Sequence, residues 1–239
     1  MQINANRKLT IIIPVYNEEN TVAQLLQRVV DLQLAHGFTK EIIVVNDASR
    51  DGSEARLKTF VASSLHPIIF LSHKKNMGKG AAIRTGLQSA TGDYVVIQDA
   101  DLELNPEDIN LLLNESVTKN LDVVYGSRFL NRTQNQKFSL SLVANKFLTW
   151  LTGFLVQRDI TDMETCYKLV RSELITSLCL KENRFGFEPE VTMKLLRNRS
   201  IRFGEVAITY KPRTTEEGKK IGWKDGVRAV WCLLRYRFS

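Results

Sequence analysis

"DYVVIQDADLEL", residues 93–104, sets an apolar run, Tyr94 to Ile97, directly against three acids at alternate positions, Asp99, Asp101 and Glu103. A continuous apolar run of this length reads as a strand buried on both faces. Acids at its end are costly to place unless water or a cation meets them. In an extended chain alternate residues share a face, so Asp99 and Asp101 would point the same way, with Glu103 following if the extension continues. Like charges that close repel unless a cation neutralises them. Hard cations such as Mg²⁺ take one or two carboxylates plus phosphate oxygens. A lone DxD is more often an acidic loop than a metal site, and its place after a buried strand shifts the balance toward metal.

Four more runs of the same kind lie around it: "LTIIIPV" (9–15), "EIIVV" (41–45), "PIIFLS" (67–72) and "LDVVYGS" (121–127). Helical patterns alternate with them. Glu18 and Glu19 suit a first helical turn ahead of Val22, Leu25, Leu26 and Val29. Further helices are expected over 53–62, over 81–90 and from Pro106 through 117. Apolar strands alternating with helices predict an α/β fold, a single mostly parallel sheet with helices on both faces. Ligands in such sheets meet the C-terminal strand ends. The polar groups stand there: Tyr16, Asn17 and Glu18, then Asp47 and Asp51, then Lys79, then Asp99 and Asp101.

The second half is less regular. Residues 139–156 read as an amphipathic helix with Val143, Phe147, Trp150, Leu151 and Phe154 on one side; "YKLVR" and "GEVAITYKP" read as strands, and 187–198 and 222–238 as helices. The chain has 239 residues, 44% hydrophobic, enough for one sizeable core. No apolar run approaches the roughly 20 residues of a membrane span, and no signal-peptide pattern opens the chain. Three cysteines without metal or redox spacing suit a reduced, cytoplasmic setting. The net charge is +7, and residues 211–239 hold eight basic side chains against three acids, which points to an anionic partner there. No nucleic-acid-binding motif accompanies that charge.

Two loops carry further chemistry. In "KKNMGKGAAIRTG" (74–86), Gly78 and Gly80 let backbone approach a diphosphate and Lys79 brings charge near a helix N-terminus. It is neither a P-loop nor a dinucleotide fingerprint. In "VNDASRDGS" (45–53), Asp47 suits a ribose or base contact and Asp51 a helix cap.

"IIIPVYNEE", "VVNDASRDGS", "NMGKGAAIRTG" and "QDADLE", in that order and spacing, resemble glycosyltransferase family 2, in particular its dolichyl-phosphate mannose synthases and bacterial polyprenyl-phosphate glycosyltransferases. "YGSRF", "TDMETCYKLVRSE" and "FGFEPEVTMKLLR" extend the likeness over nearly the whole chain. The resemblance implies a GT-A fold over 1–212, with a nucleotide-sugar-binding half at 1–125 and an acceptor half at 126–212, followed by a basic amphipathic segment at 213–239. It implies a nucleotide-sugar donor, GDP- or UDP-linked, near Pro14, Tyr16, Glu18, Asp47, Lys79 and Ala100. Asp99 and Asp101 would hold Mg²⁺ or Mn²⁺, with Glu103 as a further ligand. Arg128 would meet a donor or acceptor phosphate, and Arg213 and Lys219 would form a basic pair on a closing loop. This chain departs from the synthases where Glu103 replaces a common Gln, "CYK" replaces "GFK", and "RTTEEGKKIGWKDG" replaces a Ser-Lys loop.

The implied reaction is a single inverting displacement. A lipid phosphate attacks without a general base, whereas a sugar hydroxyl needs one, and Asp162, Glu188 and Glu190 are the candidates. Asp162 also suits a turn cap and Glu190 an exposed helix position. In the last helix Val227, Val230, Leu234 and Phe238 share a face flanked by Lys224, Arg228 and Arg235 beside Trp231, which suits a lipid interface as well as ordinary packing. With the likeness, this favours a polyprenyl-phosphate acceptor and peripheral attachment at the inner face of the membrane, alone or through a separate membrane-spanning partner. The rival expectations are transfer to a glycan hydroxyl and a non-catalytic nucleotide-sugar-binding subunit.

Overall fold

In the computed structural model, residues 7–130, 140–213 and 223–238 are described. The five strands of the first half form as their apolar runs predict: β1 (Lys8–Val15), β2 (Thr39–Asn46), β3 (Ile68–Ser72), β4 (Tyr94–Ile97) and β5 (Val123–Ser127). β6 (Lys168–Arg171) and β7 (Phe203–Ala207) complete one seven-stranded sheet of order β3-β2-β1-β4-β6-β5-β7. β1 pairs in parallel with β2 and β4, β2 with β3, and β5 with β7. β6 runs antiparallel between β4 and β5. The C-terminal ends of β1, β2 and β4 therefore open on the same edge, and the acids after β4 stand at the centre of it.

The helices are α1 (Val22–Asp31), α2 (Ser53–Ser63), α3 (Lys79–Leu87), α4 (Ile109–Thr118), α5 (Leu140–Val156), α6 (Ser172–Ser177), α7 (Phe187–Leu196) and α8 (Trp223–Arg237). α1 buries Val22, Leu25, Leu26 and Val29, the stripe its spacing predicts. It starts a turn later than Glu18 and Glu19 suggest: those acids remain in the loop after β1, where Glu18 accepts from Arg213 and Glu19 from the Gly52 N–H. β4 and the core of β1 have no exposed side chain, because parallel strands covered on both sides must be apolar throughout. α8 packs on α5 and α7 through buried Ala229, Cys232, Leu233 and Tyr236.

The loop before α3 depends on one glycine. Gly78 has φ +98°, and a Cβ there would lie 2.4 Å from the Asn183 carbonyl oxygen. Both the left-handed backbone and the close approach require glycine. Gly78→Ala is expected to lower unfolding stability by about 2–3 kcal/mol, from strain and from displacement of the 181–186 loop, measured by urea denaturation; a loss within about 0.5 kcal/mol would contradict this packing.

Candidate functional site

β4 ends at Ile97, the Gln98 N–H still donates to the Ile12 carbonyl, and the chain turns at Ala100 and Asp101. Leu102 takes φ 61°, and the Glu103 N–H donates to Asp101 Oδ1 at 3.1 Å. The extension that would have lined up three acids on one face does not continue. Asn17 (φ 53°) and Ala48 (φ 55°) bend the same way after β1 and β2. Three non-glycine residues in the left-handed region around one edge are the kind of strain that functional loops store. Ala100, between the two aspartates, is 3% exposed.

Glu103 faces the segment after β7. Its Oε1 accepts the Arg213 N–H at 2.8 Å, and its carbonyl accepts the Lys211 N–H at 2.9 Å. Arg213 then reaches across the acids: Nε donates to the Asp101 carbonyl at 2.8 Å and a guanidinium NH₂ to Glu18 Oε2 at 2.8 Å. One arginine thus ties the ends of β1 and β4 to the incoming tail. Among the described residues no three acidic, histidine or cysteine side chains converge on a metal position, so the three-carboxylate set Asp99, Asp101 and Glu103 is not assembled by the protein alone.

Asp99 and Asp101 differ sharply. Burial pushes the Asp99 carboxyl up, but the Lys79 charge and hydrogen bond outweigh it and hold it below the ordinary value. Lys79 Nζ lies 2.9 Å from Asp99 Oδ1 and 3.0 Å from Oδ2. Among the described residues Asp101 has no lysine or arginine ion-paired to its carboxylate; burial, then the Asp99 and Glu103 charges, push it up to about 7 against the opposing Arg213 charge. A cation bound there, completed by phosphate oxygens, fits what the chain supplies.

Behind Lys79 the charges alternate inward. Glu188 lies 3.5 Å from Lys79 Nζ, and its other oxygen pairs with the fully buried Lys168. Glu164 sits in the same field, pushed up to about 7 by burial and then by the Glu188 charge. Sequence reasoning singled out neither Lys168 nor Glu164. A lysine inside the short apolar strand "YKLV" was the available signal, since a charge in such a run must be paired. Asp162 is wholly buried and bidentate to Arg128, at 2.7 Å to Nε and 2.8 Å to NH₂. It also accepts the Arg128 N–H at 3.0 Å. Arg128 in turn stacks 5.1 Å over Tyr210, which bridges to Leu104 beside Glu103.

Two residues serve differently from expectation. Asp47, 2% exposed, accepts from the Met77 N–H and His73 Nδ1 on one oxygen and from the Gly78 N–H and Asn76 on the other. Its carboxylate braces the loop that presents Lys79 and is already occupied at the place where a nucleoside contact was expected. Glu190, expected on an exposed face, is wholly buried; it accepts the Lys181 and Glu182 N–H groups and pairs with Lys194. Asp51 stands one residue before the α2 N-cap, Gly52, and accepts the Ser53 N–H at 3.0 Å, so it meets the helix start without being the capping residue. Pro14 pairs with Val45 near the end of β1, and Tyr16 follows in the turn. Lys219 lies outside the described residues.

The Asp101 carboxyl sets a pH dependence. Its folded value, about 7, exceeds the ordinary 3.8, so between the two the folded chain holds a proton that the unfolded chain has released. Stability then falls as pH rises through that window. Without divalent cations, Asp101→Asn is expected to gain stability over the wild type as pH climbs from about 5 to about 8. A urea-midpoint difference that stays flat or narrows would contradict the crowding of acids.

Comparison with known proteins agrees with this architecture. The model of the family described as "Glycosyl transferase family 2" matches residues 10–178. The chain is 27% identical to the dodecaprenyl-phosphate galacturonate synthase of Rhizobium johnstonii, over 97% of this chain and 67% of that one. It is 29% identical to the dolichol-phosphate mannosyltransferase of Pyrococcus furiosus, over 96% and 64%. It is 32% identical to the undecaprenyl-phosphate 4-deoxy-4-formamido-L-arabinose transferase of Proteus mirabilis, over 89% and 62%. The chain thus spans about two thirds of the length of these curated relatives. Its fold is similar to that of glucosyl-3-phosphoglycerate synthase from Mycobacterium tuberculosis, with TM-score 0.73, 21% identity, and coverage of 97% of this chain and 78% of that one. The chain belongs to glycosyl transferase family 2 and folds as a GT-A glycosyltransferase domain.

Proposed function

We propose that this chain transfers a hexose from a nucleotide sugar to a polyprenyl phosphate at a membrane surface. The observation that carries the reading is an exposed aromatic face on α5 and α8. Phe147 (51% exposed), Trp150 (64%) and Phe154 (70%) follow one another along α5, with ring centroids 6.1 and 6.2 Å apart. α8, packed beside it, exposes Val227, Trp231 and Leu234, and Phe238 follows its last residue. Arg228 and Arg235 lie 4.1 and 4.7 Å from the Trp231 ring. Aromatic and apolar side chains edged by arginines suit the interface of an anionic bilayer. No helix among the described residues is long and apolar enough to cross a membrane, so this reading is of attachment, direct or beside a membrane-spanning partner. The relatives named above carry polyprenyl or dolichol phosphates in their names.

At the strand edge, the donor diphosphate would lie against Asp99, Asp101, Lys79 and Arg213, with the nucleoside toward Pro14, Tyr16 and Glu18. Mg²⁺ or Mn²⁺ held by Asp99 and Asp101 would take phosphate oxygens as its remaining ligands and stabilise charge on the leaving diphosphate. The structural neighbour was crystallised with Mn²⁺ and UDP, which supports a divalent cation and a nucleotide donor here. Glu103 then acts by holding Arg213. Arg128, kept in place by Asp162, is the phosphate contact on the acceptor side. Asp162 and Glu188 are engaged by Arg128 and Lys168, which favours an acceptor that needs no base, as a phosphate does. In this reading residues 1–125 bind the donor, 126–212 shape the acceptor side, and 213–239 bring α8 to the membrane from the cytoplasmic face.

Two measurements test the proposal. Labelled UDP- and GDP-hexoses with undecaprenyl phosphate in anionic vesicles and Mn²⁺ should give an organic-extractable labelled lipid; label passing only to water or to a glycan hydroxyl would contradict it. Joint replacement of Phe147, Trp150 and Phe154 by serine should weaken flotation with phosphatidylglycerol vesicles about tenfold or more, with thermal stability kept because these side chains are exposed. Equal flotation of both forms would remove the membrane face.

A further inference from the structure

Glu188 carries a buried oxygen that accepts no hydrogen bond among the described residues. The residue is 5% exposed, Lys168 occupies Oε2, and Oε1 has only a long ion pair. An unsatisfied carboxylate oxygen in the interior is costly, and native structures rarely keep one without use. The nearest cation is Lys79 Nζ at 3.5 Å. That ammonium is chelated by both Asp99 oxygens, at 2.9 and 3.0 Å. It stands about 0.3 Å beyond ordinary hydrogen-bond distance of the Glu188 oxygen.

We propose that Lys79 has two seats: Asp99, and the open oxygen of Glu188. When a divalent cation claims Asp99, the ammonium moves back by this small step and pairs with Glu188. The proposal rests on the reading of Asp99 and Asp101 as the cation-binding acids. Lys79 is the first residue of α3, and its loop is braced by Asp47, so the ammonium pivots without leaving the edge. Lys168 holds Glu188 in place from behind. Glu188 is then a positioning residue that acts through Lys79. The charge of Lys79 stays beside the diphosphate position after the exchange, so cation and nucleoside diphosphate favour each other's binding.

The test is a double-mutant cycle read by calorimetry of MnCl₂ binding without donor, on the wild type, K79M, E188Q and the pair, each checked for folding by circular dichroism. K79M is expected to bind Mn²⁺ about fivefold tighter, since the cation no longer competes with an ammonium. E188Q is expected to bind about fivefold weaker, because Lys79 loses its second seat, and to have no effect in the K79M background. Plain through-space repulsion would instead make E188Q weaken binding equally in both backgrounds, and that result overturns the proposal. So does an unchanged affinity in K79M, or an absence of Mn²⁺ heat in every form. If E188Q fails to fold, E188D, which keeps the charge for Lys168 but withdraws the carboxylate from Lys79, replaces it with the same expectation. Transfer to undecaprenyl phosphate by the wild type is assayed alongside. An intact cycle without transfer defeats the acceptor reading alone, and transfer with additive effects defeats the two seats alone.

Discussion

Negative charge crowded at the end of a fully buried strand is the constraint on which the site is built. Asp99 and Asp101 follow four residues of β4 with no exposed side chain. Carboxylates there are only partly exposed, and cationic side chains come from other elements to meet them. Lys79 comes from the start of α3 and Arg213 from the segment after β7. Each cation recruits a further acid, Glu188 for Lys79 and Glu18 for Arg213. The result is alternating charge that links β1, β4, α3, α7 and the tail around one edge, with Asp101, among the described residues, the carboxylate without an ion-paired lysine or arginine.

α7 joins this edge to the exposed aromatic face. Glu188 points to Lys79, while Glu190, two residues on, closes the 181–186 loop. That loop accepts hydrogen bonds from α3, through Ala81 and Arg84, and from α8, where Arg228 and Tyr236 meet the Glu182 carboxylate. The loop is a shared wall: α3 and the helix proposed to meet the membrane both bear on it. In the proposed reading, donor and acceptor would lie on either side of this one short loop.

What the sequence made legible follows from periodicity. Five strands are read correctly because parallel strands need unbroken apolar runs, and the DxD gains meaning from its place after one of them. The antiparallel insertion of β6 was not legible: four residues carry no signal of direction or neighbour, and strand order is decided by packing across the sheet. Asp47 and Glu190 each accept two or more backbone N–H groups from other loops besides their side-chain partners, and backbone donors leave no mark in a sequence. Glu18 and Glu19 read as a helix start because acids favour a first turn, yet Gly52 and Arg213 hold them in the loop instead. The orphan oxygen of Glu188 became visible only once Lys168 and Lys79 were placed on either side of it.

Diffraction from crystals soaked with MnCl₂ and a nucleoside diphosphate, at a wavelength where manganese scatters anomalously, shows directly whether the acids after β4 anchor a cation against a diphosphate. One strong peak is expected in contact with the carboxylates of Asp99 and Asp101 and with phosphate oxygens, and the Lys79 ammonium resting on Glu188. A manganese peak elsewhere, or a diphosphate bound with no metal between it and Asp101, would contradict this.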